Sequence, residues 1–194
     1  MTSLPSSAAQ SDKNSDKNTS MYGQVLGSAF HELHPALQAF HSYQGTHQFK
    51  GAAQTYAPDG FLARLLGRLL GTPCVAQQGP INFELQATST CETWTRFYPQ
   101  MTMSSTLRLV AGRVVEQLGA ATLTFDLHAD NGALEMKLVK MRFFHIPCPK
   151  WLMPQVVARE HGEGDMLHFD VRADLPLIGT VSRYTGNLAV LPIR

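Results

Sequence analysis

Hydrophobic and polar positions change their rhythm twice along this chain. Residues 1–20 are dominated by Ser, Asp, Lys, Asn and Gln, with Ser-Asp-Lys-Asn occurring at 11–14 and again at 15–18. Such a stretch has too little to bury to offset the entropy of ordering it, so it is expected to be a disordered polar tail before a single domain over residues 21–194. From Met21 the spacing becomes helical: Val25, Leu26, Phe30, Leu33, Leu37 and Phe40 recur at intervals that share one face, with Pro35 marking a break or a second start. A second helix is expected over Phe61 to Leu70. Asp59 stands at its cap, Leu62, Leu65, Leu66 and Leu69 form a stripe, Arg64 and Arg68 face solvent, and Gly71 with Pro73 ends it.

After Pro80 the period drops to two. Ile81, Phe83 and Leu85 alternate with polar residues, and strands are expected again at Trp94 to Tyr98, Thr106 to Leu109, Val114 to Leu118, Leu123 to Leu127 and Leu134 to Phe144. Asn131-Gly132 favours a tight hairpin between the last two. Pro147, Pro149 and Pro154 interrupt the sheet before strands resume at Val156 to Arg159, Met166 to Arg172 and Gly179 to Val190, with bends at Gly179 and Gly186. Short strands in series behind early helices indicate an α+β domain: a mostly antiparallel curved sheet or partly closed β-barrel, with two N-terminal helices packed over one opening.

Composition narrows the chemistry. Hydrophobic residues make up 44% of 194 and charged residues 16%, enough for a full core or an apolar cavity. The 16 basic and 15 acidic side chains are scattered, giving a net charge of +1 and no stripe for a phosphate backbone, which argues against a nucleic-acid partner. Three cysteines without a C-x-x-C spacing suit reduced thiols in a cytoplasm, and no apolar run reaches the ~20 residues of a membrane-spanning helix.

The order of landmarks resembles a bacterial family known as domain of unknown function 4166. The resemblance rests on Met21 to Phe30, Leu33-His34-Pro35-Ala36-Leu37 with His41, Phe49-Lys50-Gly51, the Leu62 to Leu70 helix with Pro73 and Trp94-Thr95-Arg96-Phe97. It continues through Glu116 with Gly119, Pro147-Cys148-Pro149, Pro154, Glu160, Phe169-Asp170-Val171, Leu175 to Gly179, and Tyr184-x-Gly186-x-Leu188. It implies a domain sometimes fused to a dehydrogenase-like nucleotide-binding module, and no established chemistry. No Gly-x-Gly-x-x-Gly occurs, so a dinucleotide-binding partner would be another chain, and no cofactor is expected in this one.

Candidate site residues fall into three groups. His31-Glu32-Leu33-His34 spaces its histidines three apart rather than four, so no metal site is expected there. His41 and His47, near Tyr43, can contact a ligand or satisfy backbone carbonyls. Trp94 and Arg96 share one strand face, and an inward Arg96 needs a carboxylate such as Glu116 or Glu92, either to brace the barrel or to hold an anionic head group. Late in the chain, Arg159, Glu160, His168, Asp170, Arg172, Arg183 and Tyr184 form the densest polar set. His168, Asp170 and Arg172 share one strand face, where a carboxylate-oriented imidazole can act as a base; a solvent-facing strand shows the same alternation. Three functions follow from this reading: a module binding a hydrophobic or lipid-like small molecule, with methionines as adaptable walls; an interaction domain for a dehydrogenase-like protein; and an enzyme using the His/Asp/Arg set.

Overall fold

The structure is a computed structural model and describes residues 20–190; the polar segment read as a tail lies, Ser20 excepted, outside the described residues. Helix α1 (Met21–Leu26) starts where the Ser20 hydroxyl accepts from Gly23 N at 3.1 Å. The helical rhythm seen over Val25 to Phe40 is divided by a 3-10 turn, Gly27–Glu32, and helix α2 (Pro35–Phe40) begins with Pro35 at its first position and His34 Nδ1 accepting from Ala36 N. Helix α3 (Gly60–Leu70) follows strand β1 (Gly45–Thr55). Among the described residues nine further strands run antiparallel: β2 (Gln77–Ala87), β3 (Cys91–Tyr98), β4 (Met101–Val110), β5 (Arg113–Leu118), β6 (Ala121–Asp130), β7 (Ala133–Phe143), β9 (Gln155–Glu163), β10 (Met166–Leu175) and β11 (Gly179–Ala189), with a two-residue β8 (Ile146–Pro147) appended to β7.

Neighbours pair in the order β6-β5-β4-β3-β2-β1-β11-β10-β9-β7, and β6 pairs β7, so ten strands close into a barrel. Closure removes the sheet edges, which an eleven-stranded open sheet would expose. The Asn131-Gly132 turn joins β6 to β7 with φ of 48° and 81°, the left-handed pair that a two-residue hairpin requires. One seam is weak. The ladder between β7 and β9 is limited to Leu134↔Glu160 and Glu135↔Arg159, and toward the other end the two strands run unpaired.

The helices divide between the two ends. Helices α1 and α2 pack over the opening at the β6–β7 and β9–β10 turns, where His34 N donates to Gly132 O. Helix α3 lies across the opposite opening. Its N-terminus is tied to the β10–β11 turn, Asp59 Oδ2 accepting from Thr180 N at 2.9 Å, and Leu69 O near its C-terminus accepts from Ala120 N in the β5–β6 turn. Those turns stand four strands apart one way round the barrel and six the other, so the eleven residues, about 16 Å of helix, reach across the opening.

The leucine stripe of α3 corrects an expectation. Ala63 and Gly67 face the barrel, while Leu62, Leu65 and Leu69 are exposed beside Phe61. The reason is spacing: a Cβ at Gly67 would already sit 3.2 Å from Val181 O, so at this point of the contact only a small residue fits. A closer approach still joins β1 to β11, where a Cβ on Gly51 would lie 1.8 Å from Asn187 O. Gly51→Ala is therefore expected to part these strands and lower stability by about 2–3 kcal/mol in urea unfolding; wild-type stability would contradict this packing.

Candidate functional site

Alternation along the strands points every second residue into the barrel, and most are apolar: Ile81, Phe83 and Leu85 on β2, Met103 and Leu107 on β4, Phe125 and Leu127 on β6, Leu167 on β10 and Leu188 on β11 are all buried. Set among them is a line of polar groups. Beneath α1 and α2, His41 Nε2 donates to Glu160 Oε2 at 2.7 Å, and the Tyr22 ring lies 3.8 Å from the His41 ring. Glu92 accepts from Trp94 Nε1 at 2.8 Å. Burial pushes Glu92 up to about 7, against the pull of His41 and the indole hydrogen bond and with help from Glu160.

Arg96 occupies the middle of the lumen. Its guanidinium carbon stands 5.1 Å from the Trp94 ring centroid and 5.6 Å from that of Phe83, and its Nη1 donates to Ser105 Oγ at 3.4 Å. The Ser105 hydroxyl in turn donates to Glu116. Among the described residues Arg96 has no direct ion pair with a carboxylate. Burial works against its charge, but Tyr184, Tyr98, Glu116 and Glu160 outweigh that and raise its pKa. Glu116 is pushed up by burial, which exceeds the opposing effects of Arg96 and Ser105. Its carboxyl is enclosed by the barrel yet keeps accessible surface, because that surface faces a cavity.

The cavity, about 100 Å³, is walled by Met103, Leu107, Phe125, Met136 and Met141 and carries Arg96 and Glu116 in its lining. Toward the α3 end it is bounded by Leu70, Thr72 and Leu175, and at the unpaired seam by Pro154, Val156 and Met141. A second space of about 30 Å³ lies behind it, toward Phe40 and Leu167; Trp94, Arg96, Glu160 and Tyr184 line both. A more open groove of about 310 Å³ runs outside, beside Cys74 and Gln100. Size favours the groove, but its only charged side chain, Arg68, is solvent-exposed, whereas the lumen holds a buried cation with spare donors.

Of the residues singled out in the sequence, Trp94, Arg96, Glu116, Glu160 and Tyr184 meet in this lumen. Arg159 also borders the cavity, but its guanidinium turns outward to Glu135 at 3.8 Å, and the Arg183 guanidinium lies 4.4 Å over the Tyr56 ring. His168, Asp170 and Arg172 sit on the outer face of β10, where His168 stacks on His161 and Arg172 pairs with Asp174 at 2.7 Å. None of the three lines the cavity, so the geometry that a His168 base requires is not met there. His47 is bonded to Gln44 O and Tyr43 donates to Val190 O, both backbone contacts. Ser105 went unnoticed in the sequence; the available signal is a small hydroxyl between Met103 and Leu107 on the inward face of β4.

Fold and site together define a closed antiparallel β-barrel whose apolar lumen encloses one guanidinium and several carboxyl groups. The chain belongs to the family described as Domain of unknown function (DUF4166), whose profile matches residues 33–188. No curated protein matches the chain. Among solved structures it is similar to the crystal structure of Rv2717c from M. tuberculosis, at 13% identity over 81% of this chain and 98% of that one, with a TM-score of 0.43. Among the described residues no helix is long and apolar enough to cross a membrane.

Proposed function

We propose that the barrel binds a small, mostly apolar molecule bearing a carboxylate, held by Arg96 in the lumen. The observation that carries this reading is a buried guanidinium with one 3.4 Å hydrogen bond and no direct carboxylate partner among the described residues, set in a mostly apolar cavity that Glu116 and Glu160 also line. A carboxylate accepts two parallel N–H bonds from such a fork. Burial already raises the Glu116 pKa, which favours its neutral form beside an incoming anion.

Size sets the class. A cavity of about 150 Å³ accommodates benzene, so 100 Å³ suits on the order of five non-hydrogen atoms, and a long lipid chain does not fit. Met103, Met136 and Met141 adapt to somewhat larger shapes. Entry runs between β7 and β9, where no ladder has to be broken.

Trp94 lines the cavity and reports on it once the exposed Trp151 is changed to Phe. Titrating that variant with butyrate is expected to give a saturable fluorescence change, with a Kd between about 10 µM and 1 mM at ~1 kcal/mol per heavy atom. 1-Butanol, lacking the anion, should bind at least about tenfold more weakly. Equal responses to both, or a response that never saturates, would overturn the proposed role of Arg96.

A further inference from the structure

The outward stripe of α3 is part of a larger feature. Leu62, Leu65 and Leu69 with Phe61, which is 76% exposed, cover the outer face of the one helix laid flat across the barrel end. Two connections at that end carry exposed apolar tips: Ile146 (71%) and, in the 3-10 turn Lys150–Leu152, Trp151 (71%) on the β7–β9 connection, and Leu177 (97%) in the β10–β11 turn. Leu177 has φ of 66°, a left-handed conformation unusual for leucine, so the turn holds this side chain outward despite a backbone cost. Isolated exposed leucines are ordinary, but three segments presenting large apolar groups at one end are not.

Charge is polarised along the same axis. Arg64 and Arg68 flank the α3 stripe, and Arg142 and Lys150 stand on the β7–β9 side. The acids at this end are engaged: Asp59 accepts from Thr180 N, and Asp174 from Arg172 and the Thr180 hydroxyl. The opposite end carries Glu32, Asp130, Glu163 and Asp165 against Arg108 and Arg113, the latter paired with Asp126 at 2.6 Å.

We infer that the α3 end of the barrel docks on an anionic lipid bilayer surface, with α3 lying in the interface plane. An interfacial helix needs an apolar face flanked by cations, and separate protruding tips suit insertion into a fluid phase better than contact with a flat protein surface. Each basic residue near an anionic leaflet adds attraction that salt screens. The inference does not depend on what occupies the lumen.

Co-sedimentation of the full chain with vesicles tests it. Vesicles of phosphatidylcholine with about a quarter phosphatidylserine should pellet the protein, pure phosphatidylcholine should pellet far less, and high salt should release it. Phe61→Ser with Leu65→Ser, both at exposed positions, should reduce partitioning at least about tenfold while the far-ultraviolet circular dichroism stays unchanged. Arg64→Glu with Arg68→Glu should do so through charge alone. Absence of binding to the anionic vesicles, or binding indifferent to both variants, overturns the inference. So does a dimer in sedimentation equilibrium that the Phe61/Leu65 variant dissociates, because the face then belongs to a second copy of the chain.

Discussion

Arg96→Met is expected to lower the free energy of unfolding by about 3 kcal/mol, the order found when one member of a buried charge group is removed. The thioether fills similar space, so the loss is electrostatic rather than a cavity effect. Glu116 and Glu160 lose the cation that offsets them, and the stacking over Trp94 and Phe83 disappears. Adding Glu116→Gln should restore most of the stability, since the amide oxygen still accepts from Ser105 and no buried acid remains beside it. Arg96→Lys keeps the charge but not the planar fork, and falls between. Urea unfolding at neutral pH measures all four proteins. An Arg96→Met protein as stable as wild type would show that the lumen charges are not coupled through this side chain.

The second large effect concerns pH. Folded Glu92 holds its proton up to about pH 7, while the unfolded chain releases it near 4.5. Between those values the folded state binds more protons, so this group's stabilisation is complete below the lower value and is lost as pH rises through the higher one. The loss is about 3 kcal/mol, order of magnitude, for a side chain this deeply buried. Glu92→Gln keeps an acceptor for Trp94 Nε1 and removes the titration. The variant should therefore gain on wild type steadily between about pH 4.5 and pH 7 and hold that gain above. His41 and Glu160 face the same carboxyl and stay unchanged in the comparison. Parallel stability profiles for the two proteins would contradict a raised Glu92.

What the sequence revealed, it revealed through periodicity. Alternation at Ile81 to Leu85 and Trp94 to Tyr98 located strands and set Trp94 and Arg96 on a common face, and Asn131-Gly132 fixed a hairpin. Strand β1 escaped notice because its inward positions, Gly51, Ala53 and Thr55, are small where it meets β11, so the alternation lacks bulk. Period two also cannot say which face is inside: His168, Asp170 and Arg172 alternate as well as Trp94 and Arg96 do, yet face outward. In α3 the same signal misled in the other direction. A leucine stripe reads as a buried face, but close approach to β11 puts Ala63 and Gly67 against the barrel, and Leu62, Leu65 and Leu69 turn out. The polar line from Glu92 to Glu116 depends on register between β3, β4 and β5, Arg96 opposite Met103 and Leu107 opposite Glu116, which local patterns do not encode.

The central claim is that the lumen around Arg96 is an anion-headed binding site. Methyl spectra of the protein labelled at methionine test it most directly, because Met103, Met136 and Met141 line the cavity while Met21 and Met153 do not. Adding butyrate should shift the three lining methyls along one saturable curve, leave Met21 and Met153 in place, and have no effect in Arg96→Met. Shifts confined to methyls outside the cavity, or equal shifts in Arg96→Met, would contradict it.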